Sequence, residues 1–162
     1  VGNDGFFFGR AIMSRFRGRF DYSIDEKGRI NIPFKFRNLL PPEAQGTFVI
    51  SRAPDGCLWA YPLNEWEKYE DSLIAMPMTK GVNKFQREIQ NTLSDSVLDK
   101  QGRVTLTPHQ IEIAGIEKDV SIIGRGHYLE IWATERFEKY TGSGKDFDEV
   151  YYKTLKPGNR RG

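Results

Sequence analysis

Cysteine is nearly missing from this sequence. Of 162 residues only Cys57 carries a thiol, which excludes an internal disulfide framework and any cysteine-built zinc site, and makes a reducing cytosol the expected setting. Histidine is scarce as well, and His109 and His127 stand in different expected elements at no metal-ligand spacing. No apolar run approaches the roughly eighteen residues of a membrane span, so no membrane partner is expected. The opening residues Val1-Gly2-Asn3-Asp4-Gly5-Phe6-Phe7-Phe8 have neither a basic stretch nor a long apolar one, and do not read as a signal peptide. No Gly-rich phosphate loop occurs, and no cofactor is expected. What remains is 38% hydrophobic and 13% aromatic, enough for a packed core in one ordinary domain or two small ones.

The chain repeats itself. The segment Ile24-Asp25-Glu26-Lys27-Gly28-Arg29-Ile30-Asn31-Ile32 returns as Leu98-Asp99-Lys100-Gln101-Gly102-Arg103-Val104-Thr105-Leu106, at an offset of 74. Farther on, 58–69 answers 129–140 at an offset of 71, with Trp66-Glu67-Lys68-Tyr69 matched by Phe137-Glu138-Lys139-Tyr140. Two matched blocks in one order indicate a tandem duplication.

Each copy reads mostly as short strands. Phe20, Tyr22 and Ile24 alternate with Asp21 and Ser23, and Ile30 and Ile32 continue the alternation beyond a turn at Gly28. Pro33 ends the pairing and suits the start of a helix. In the second copy Thr107, Pro108 and Gln110 spell an N-cap, N1 and capping-box N3, and Gly115 can close the helix. Strands over 47–51 and 58–61 flank Pro54-Asp55-Gly56, and strands over 120–123 and 128–132 flank Gly124-Arg125-Gly126. The expected unit is β-β-α-β-β followed by a helix carrying Trp66 or Phe137. Between the copies, Trp66, Tyr69, Leu73 and Met76, then Val82, Phe85, Ile89 and Leu93, recur at helical spacing on either side of Pro77, as in a helical hairpin whose stripe enters the core. A last amphipathic stretch holds Phe147, Val150, Tyr151 and Leu155 and is left open between docking and fraying. Units of about 45 residues make poor cores alone, so the copies are expected to pack or interleave around a pseudo-two-fold axis.

Net charge is only +2, but it is uneven: within 13–37 lie Arg15, Arg17, Arg19, Lys27, Arg29, Lys35 and Arg37 against Asp21, Asp25 and Glu26. A second basic group, Lys153, Lys156, Arg160 and Arg161, ends the chain. Such patches suit a polyanion, although they also occur as plain solvated surface. A catalytic carboxylate pair of Asp25 and Asp99 is not supported, because an Arg follows each Asp by four residues and would hold it ionised. Cys57 has no nearby His and reads as a small buried hydrophobe. Asp-x-x-Gly-Arg has a structural reading, in which Asp accepts its own turn's N–H groups, Gly makes the turn and Arg pairs with Asp. It also has a functional one, since arginine on an exposed turn can enter a groove and read guanine or clamp phosphate. The crowding of Arg15, Arg17, Arg19 and Lys27 around Arg29 favours Arg29 over Arg103 as the heavier contact.

Phe16-Arg17-Gly18, Asp25 to Pro33, Gly56-Cys57-Leu58-Trp59, Tyr61-Pro62-Leu63-Asn64-Glu65-Trp66 and Asp99-Lys100-Gln101-Gly102-Arg103 together resemble the bacterial MraZ transcriptional regulators, in order over about 13–140. The resemblance implies an α+β fold, mainly β with helices: two tandem AbrB-like swapped-hairpin β-barrel halves with a helical linker, assembling into ring-shaped homo-oligomers. It divides the chain into a first repeat at 13–69, a linker at 70–93, a second repeat at 94–140 and a C-terminal helix with basic tail at 141–162, with 1–12 as extra sequence. It implies a cytoplasmic, nucleoid-associated protein without enzymatic activity. Such a protein binds short direct repeats in double-stranded promoter DNA and represses its division and cell-wall cluster. The implied DNA-binding residues are Arg15, Arg17, Lys27, Arg29, Lys100 and Arg103, with Asp25, Gly28, Asp99 and Gly102 shaping the turns. The second copy departs from the first, having Thr107-Pro108-His109 where the first has Pro33-Phe34-Lys35, so the halves need not contact DNA equally. The alternative is an AbrB-like antitoxin or protein-partner-binding module.

Overall fold

Two registers and one exchange of strands set the architecture. The computed structural model describes residues 15–155, a mixed α+β chain; residues 1–12 and the tail residues Lys156, Arg160 and Arg161 lie outside that range. In the first copy β1 (Arg19–Ser23) and β2 (Arg29–Asn31) lead to a one-turn helix α1 (Phe34–Arg37), then β3 (Thr47–Arg52) and β4 (Leu58–Pro62). A hairpin of α2 (Leu63–Ile74) and α3 (Lys80–Thr92) follows. The second copy runs β5 (Ser94–Val97), β6 (Arg103–Thr105), α4 (Pro108–Ala114), β7 (Asp119–Gly124), β8 (Leu129–Ala133) and α5 (Thr134–Thr141), and α6 (Phe147–Thr154) ends the described chain.

Six strands form one sheet in the order β1-β7-β8-β4-β3-β5, and β2 pairs with β6 in a separate ribbon. Read from either end, the sheet meets corresponding strands of the two copies, so a pseudo-two-fold axis passes between β8 and β4. Each copy gives its first strand away: β1 pairs with β7 of the second copy and β5 with β3 of the first, both antiparallel. The two copies are interleaved.

The alternation seen in the sequence decides what lies beneath the ribbon. Ile30 and Val104 face each other and are buried, and with Ile32, Leu106, Phe36, Phe48, Leu58, Ile122 and Ile131 they belong to the main core. Burying such a side chain contributes about 1.5–3 kcal/mol, so the short ribbon is held down by its inner face despite having three residues per strand. Cys57, 1% exposed, is packed with Ala53 and Trp132.

The helices after each ribbon strand differ because their caps differ. Thr107 accepts the Gln110 N–H and Gln110 returns the bond to the Thr107 N–H, and α4 runs seven residues to a left-handed Gly115. Pro33 at the N-cap of α1 has no side chain to offer, and that helix stops after four residues. The linker hairpin keeps most of its apolar stripe covered. Its base is packed, with Trp66, Tyr69, Ile89 and Leu93 around Val49 and Tyr61. Leu73 is buried and Met76 and Val82 are half-buried, so of the stripe only Phe85 is exposed; Ile74 and Met78, outside the stripe, are exposed as well. The residues of α6 are exposed along its whole length.

Candidate nucleic-acid interface

The duplicated motif forms two near-identical turns. Asp25 Oδ1 accepts the backbone N–H groups of Lys27 at 3.0 Å and Arg29 at 2.8 Å, while Oδ2 accepts Arg29 Nε at 2.6 Å. Asp99 repeats this with Gln101 N at 2.9 Å, Arg103 N at 2.9 Å and Arg103 Nε at 2.8 Å. Each carboxyl is held below the ordinary aspartate value, first by the backbone N–H of its arginine and also by that guanidinium, against a smaller opposing effect of desolvation. The structural reading of the motif is therefore realised in full.

Glycine is required at both turns. Gly28 has φ +78°, and a Cβ there would stand 2.8 Å from the Leu106 carbonyl oxygen. Gly102 has φ +76°, and the place of its Cβ is taken by the Arg37 guanidinium. Arg37 is steadied by a bond from Nε to the Ile32 carbonyl, 3.0 Å, and by the Phe34 ring 5.2 Å away. Counterpart helices thus cover the opposite copy's turn, with Arg37 of α1 on one side and Ile111 of α4 on the other.

The functional reading is compatible with this. The ribbon register sets Arg29 opposite Thr105 and Asn31 opposite Arg103, so all four side chains share the outward face above buried Ile30 and Val104. Because Nε is the only side-chain nitrogen of Arg29 that bonds to protein among the described residues, the outer edge of its guanidinium stays available. Lys27 and Lys100 are exposed on the two turns. Around them Lys27, Arg29, Arg37, Lys100 and Arg103 stand against Asp25, Glu26 and Asp99, an excess of two positive charges.

Two of the expected contact residues lie elsewhere. β1 is extended: Phe16 bridges Gly126 while the Ile24 N–H bonds to the Lys118 carbonyl, so about 26 Å of strand separates the ends of this segment. Arg15 and Arg17 sit at the β7–β8 end and the Asp25 turn beyond the other. Arg15 lines a cavity of about 560 Å³ with Phe16, Leu40, Glu65, Lys68 and His127. Arg19 is engaged by Asp21 at 2.9 Å and Glu138 at 3.0 Å and lies over the Phe137 ring. The crowding of arginines around Arg29 is thus an adjacency in sequence that an extended strand pulls apart. Sequence reasoning passed over Asn31, Thr105 and Arg37. The period-two alternation that buried Ile30 and Val104 carried the signal for the first two. Arg37 had none, because its approach to Gly102 is tertiary.

The family model described as "MraZ protein, putative antitoxin-like" matches residues 15–90 and 94–150, one segment for each copy. The chain is 42% identical over 135 residues to the "Transcriptional regulator MraZ" of Limosilactobacillus reuteri (strain DSM 20016), covering 82% of this chain and 92% of that protein. It is 38% identical over 142 residues to the protein of the same name from Heliobacterium modesticaldum (strain ATCC 51547 / Ice1), covering 86% and 96% respectively. Among the described residues no helix is long and apolar enough to cross a membrane.

Proposed function

The chain belongs to the MraZ family of transcriptional regulators, a non-enzymatic family, and from that premise we propose that it binds double-stranded promoter DNA sequence-specifically through the β2–β6 ribbon and its two turns. The observation that carries this reading is the joining of both motif copies into one antiparallel ribbon with Arg29 and Arg103 on its outward face. A two-stranded ribbon fits the major groove, and arginine there can bond guanine O6 and N7 while the turn lysines meet phosphates. On this reading the interleaved copies are the two AbrB-like swapped-hairpin halves of one intramolecular barrel. The protein acts as a cytoplasmic, nucleoid-associated repressor of the division and cell-wall cluster. A ring of identical subunits presents the ribbon repeatedly, so that short direct repeats in DNA are met by repeated weak contacts that add through effective concentration.

The test is a mobility-shift titration on DNA from upstream of the protein's own gene, against scrambled DNA at the same salt. The promoter fragment is expected to bind more tightly, with a log–log salt slope of roughly −0.9 per neutralised phosphate. A slope near zero, or equal binding of scrambled DNA, overturns the reading. One observation favours a second reading: the family description carries the word antitoxin. In that case the chain is an antitoxin or protein-partner-binding module, and a toxin gene beside its own would support it.

A further inference from the structure

We propose that Asn31 and Thr105 set the direction in which one chain reads its DNA element. The inference rests on the DNA-binding reading above. The ribbon is built on the pseudo-two-fold axis, and rotation about that axis exchanges Arg29 with Arg103, each bound through Nε to the Asp of its own turn. The same rotation exchanges Asn31 with Thr105. On the outward face that is the one place where the two strands differ.

A duplex has local two-fold axes of its own across the grooves. A symmetric ribbon would bind an element equally well in either direction, so direction has to come from whatever breaks the symmetry. Differences on the turns, Glu26 against Lys100 and Lys27 against Gln101, change charge near the phosphate backbone, which carries no base identity. Asn31 and Thr105 differ in what they can read. An asparagine amide donates to adenine N7 and accepts from N6, whereas a threonine hydroxyl bonds either kind of edge and its methyl packs on a thymine methyl. Both side chains are exposed, and neither forms a hydrogen bond among the described residues, so their groups are not spent on the protein. Each stands two residues along its strand from an arginine, a spacing of about 6.6 Å, close to two base-pair steps. Each end of the ribbon thus carries one arginine beside one member of the asymmetric pair, Arg29 with Thr105 and Arg103 with Asn31, so the pair meets base pairs on either side of the centre.

The experiment is selection from a random double-stranded DNA pool by the full chain, read by sequencing. Wild type, Asn31→Thr, and the exchange variant Asn31→Thr/Thr105→Asn are compared, with thermal melting of each as the folding control. Wild type is expected to enrich an element that is not its own reverse complement. Because exchanging the pair is equivalent to turning the outward face about its own two-fold axis, the exchange variant is expected to enrich the same duplex element but to sit on it in the opposite direction. That is read as cleavage from an iron chelate on Gln101→Cys, an exposed position of the second turn, moving from one side of the element to the other. Asn31→Thr is expected to lose about 5- to 150-fold preference at one position and to move the element towards palindromy. A palindromic wild-type element, or chelate cleavage on the same side of the element in wild type and exchange variant, overturns this inference while leaving DNA binding standing. Failure of the wild type to enrich any duplex overturns the DNA-binding reading and this inference with it.

Discussion

Arg103 links the two copies of the motif: while its Nε holds Asp99 of its own turn at 2.8 Å, its Nη1 lies 3.8 Å from Oδ2 of Asp25 in the other. The acidic residue that each turn uses to shape itself thus also steadies an arginine presented outward. Shape and readout share the same atoms, which is why the structural and functional readings of Asp-x-x-Gly-Arg do not exclude each other here.

Replacing either arginine separates them. Side-chain exposures of 30% for Arg29 and 22% for Arg103 leave these ion pairs partly screened, so Arg29→Ala and Arg103→Ala should each lower stability by no more than about 1 kcal/mol. With Arg15 and Arg17 before β1, at the end away from the Asp25 turn, the sequence argument for a dominant Arg29 loses its basis. Both variants should weaken promoter binding to a similar extent, about 1–3 kcal/mol if a bidentate base contact is lost. Fluorescence anisotropy on one promoter fragment, beside thermal melting, checks this; folded variants with unchanged affinity would leave the turns as scaffolding.

The turns also make stability pH-dependent. Asp25 and Asp99 have pKa values in the fold below their unfolded value near 3.9, so their contribution is complete above that value and is lost as pH falls through the lower, folded values. Asp25→Asn/Asp99→Asn keeps an acceptor oxygen on each side chain but removes the charge. Its melting temperature should fall less steeply than wild type's below about pH 4. Some slope should persist, because Asp21, bonded by Arg19 and Ser121, is lowered too. Parallel acid-side slopes for the two proteins would contradict the assignment.

How legible this was in the sequence depended on the range of the interaction. The turn at Gly28, the capping box of Thr107 and Gln110 and the alternation burying Ile30 and Val104 are local, set by neighbours within a few residues, and all were readable. The duplication implied a pseudo-two-fold axis. The strand exchange itself, with β1 against β7 and β5 against β3, is not decided by the pattern of either copy: the residues leave packing and interleaving open, and only the family resemblance implies a swap. The charge run from Arg15 to Arg29 misled for the same reason: a strand rising about 3.3 Å per residue disperses what a helix or loop would gather.

The two turn glycines should not be equally sensitive. Alanine at either incurs about 1–2 kcal/mol from a left-handed backbone. At Gly28 the added methyl also meets the backbone oxygen of Leu106, which cannot move without disturbing the ribbon, whereas at Gly102 it meets the far end of the Arg37 side chain. Gly28→Ala should therefore be the more destabilising of the two by denaturant unfolding. Equal losses would mean that Arg37 is held as rigidly as backbone.

Assembly is open to a direct measurement. Repeated DNA elements call for repeated subunits, and the apolar residues Ile74, Met78 and Phe85 at the hairpin tip are exposed in the single chain. Light scattering should give a mass well above 18.7 kDa at working concentration. A mass equal to one chain would remove the ring from the proposed function while leaving the ribbon untouched.

Gln110 shows how much one buried amide can hold. It is 0% exposed and occupies the place that Phe36 fills in the first copy. Its Oε1 accepts the Thr107 N–H at 3.0 Å and closes the capping box. Its Nε2 donates to the Thr92 carbonyl at 2.7 Å, the Ser94 hydroxyl at 2.9 Å and the Ile50 carbonyl at 3.3 Å, tying α4 to the end of the linker hairpin and to β3. Removing the amide leaves buried acceptors without their donor and takes away half of the cap, a loss of about 1–3 kcal/mol for an unsatisfied group with the cavity added to it. Gln110→Ala should therefore destabilise the whole chain, and hydrogen exchange should rise first in α4 and at the junction of α3 with β5. Gln110→Glu tests the direction of the bonds: its carboxylate can still accept from Thr107 but cannot donate to Thr92, so it should cost stability at neutral pH and recover part of it as the carboxyl is protonated in acid. If Gln110→Glu is as stable as wild type at pH 7, the donor bonds to Thr92 and Ile50 are not what holds the halves together.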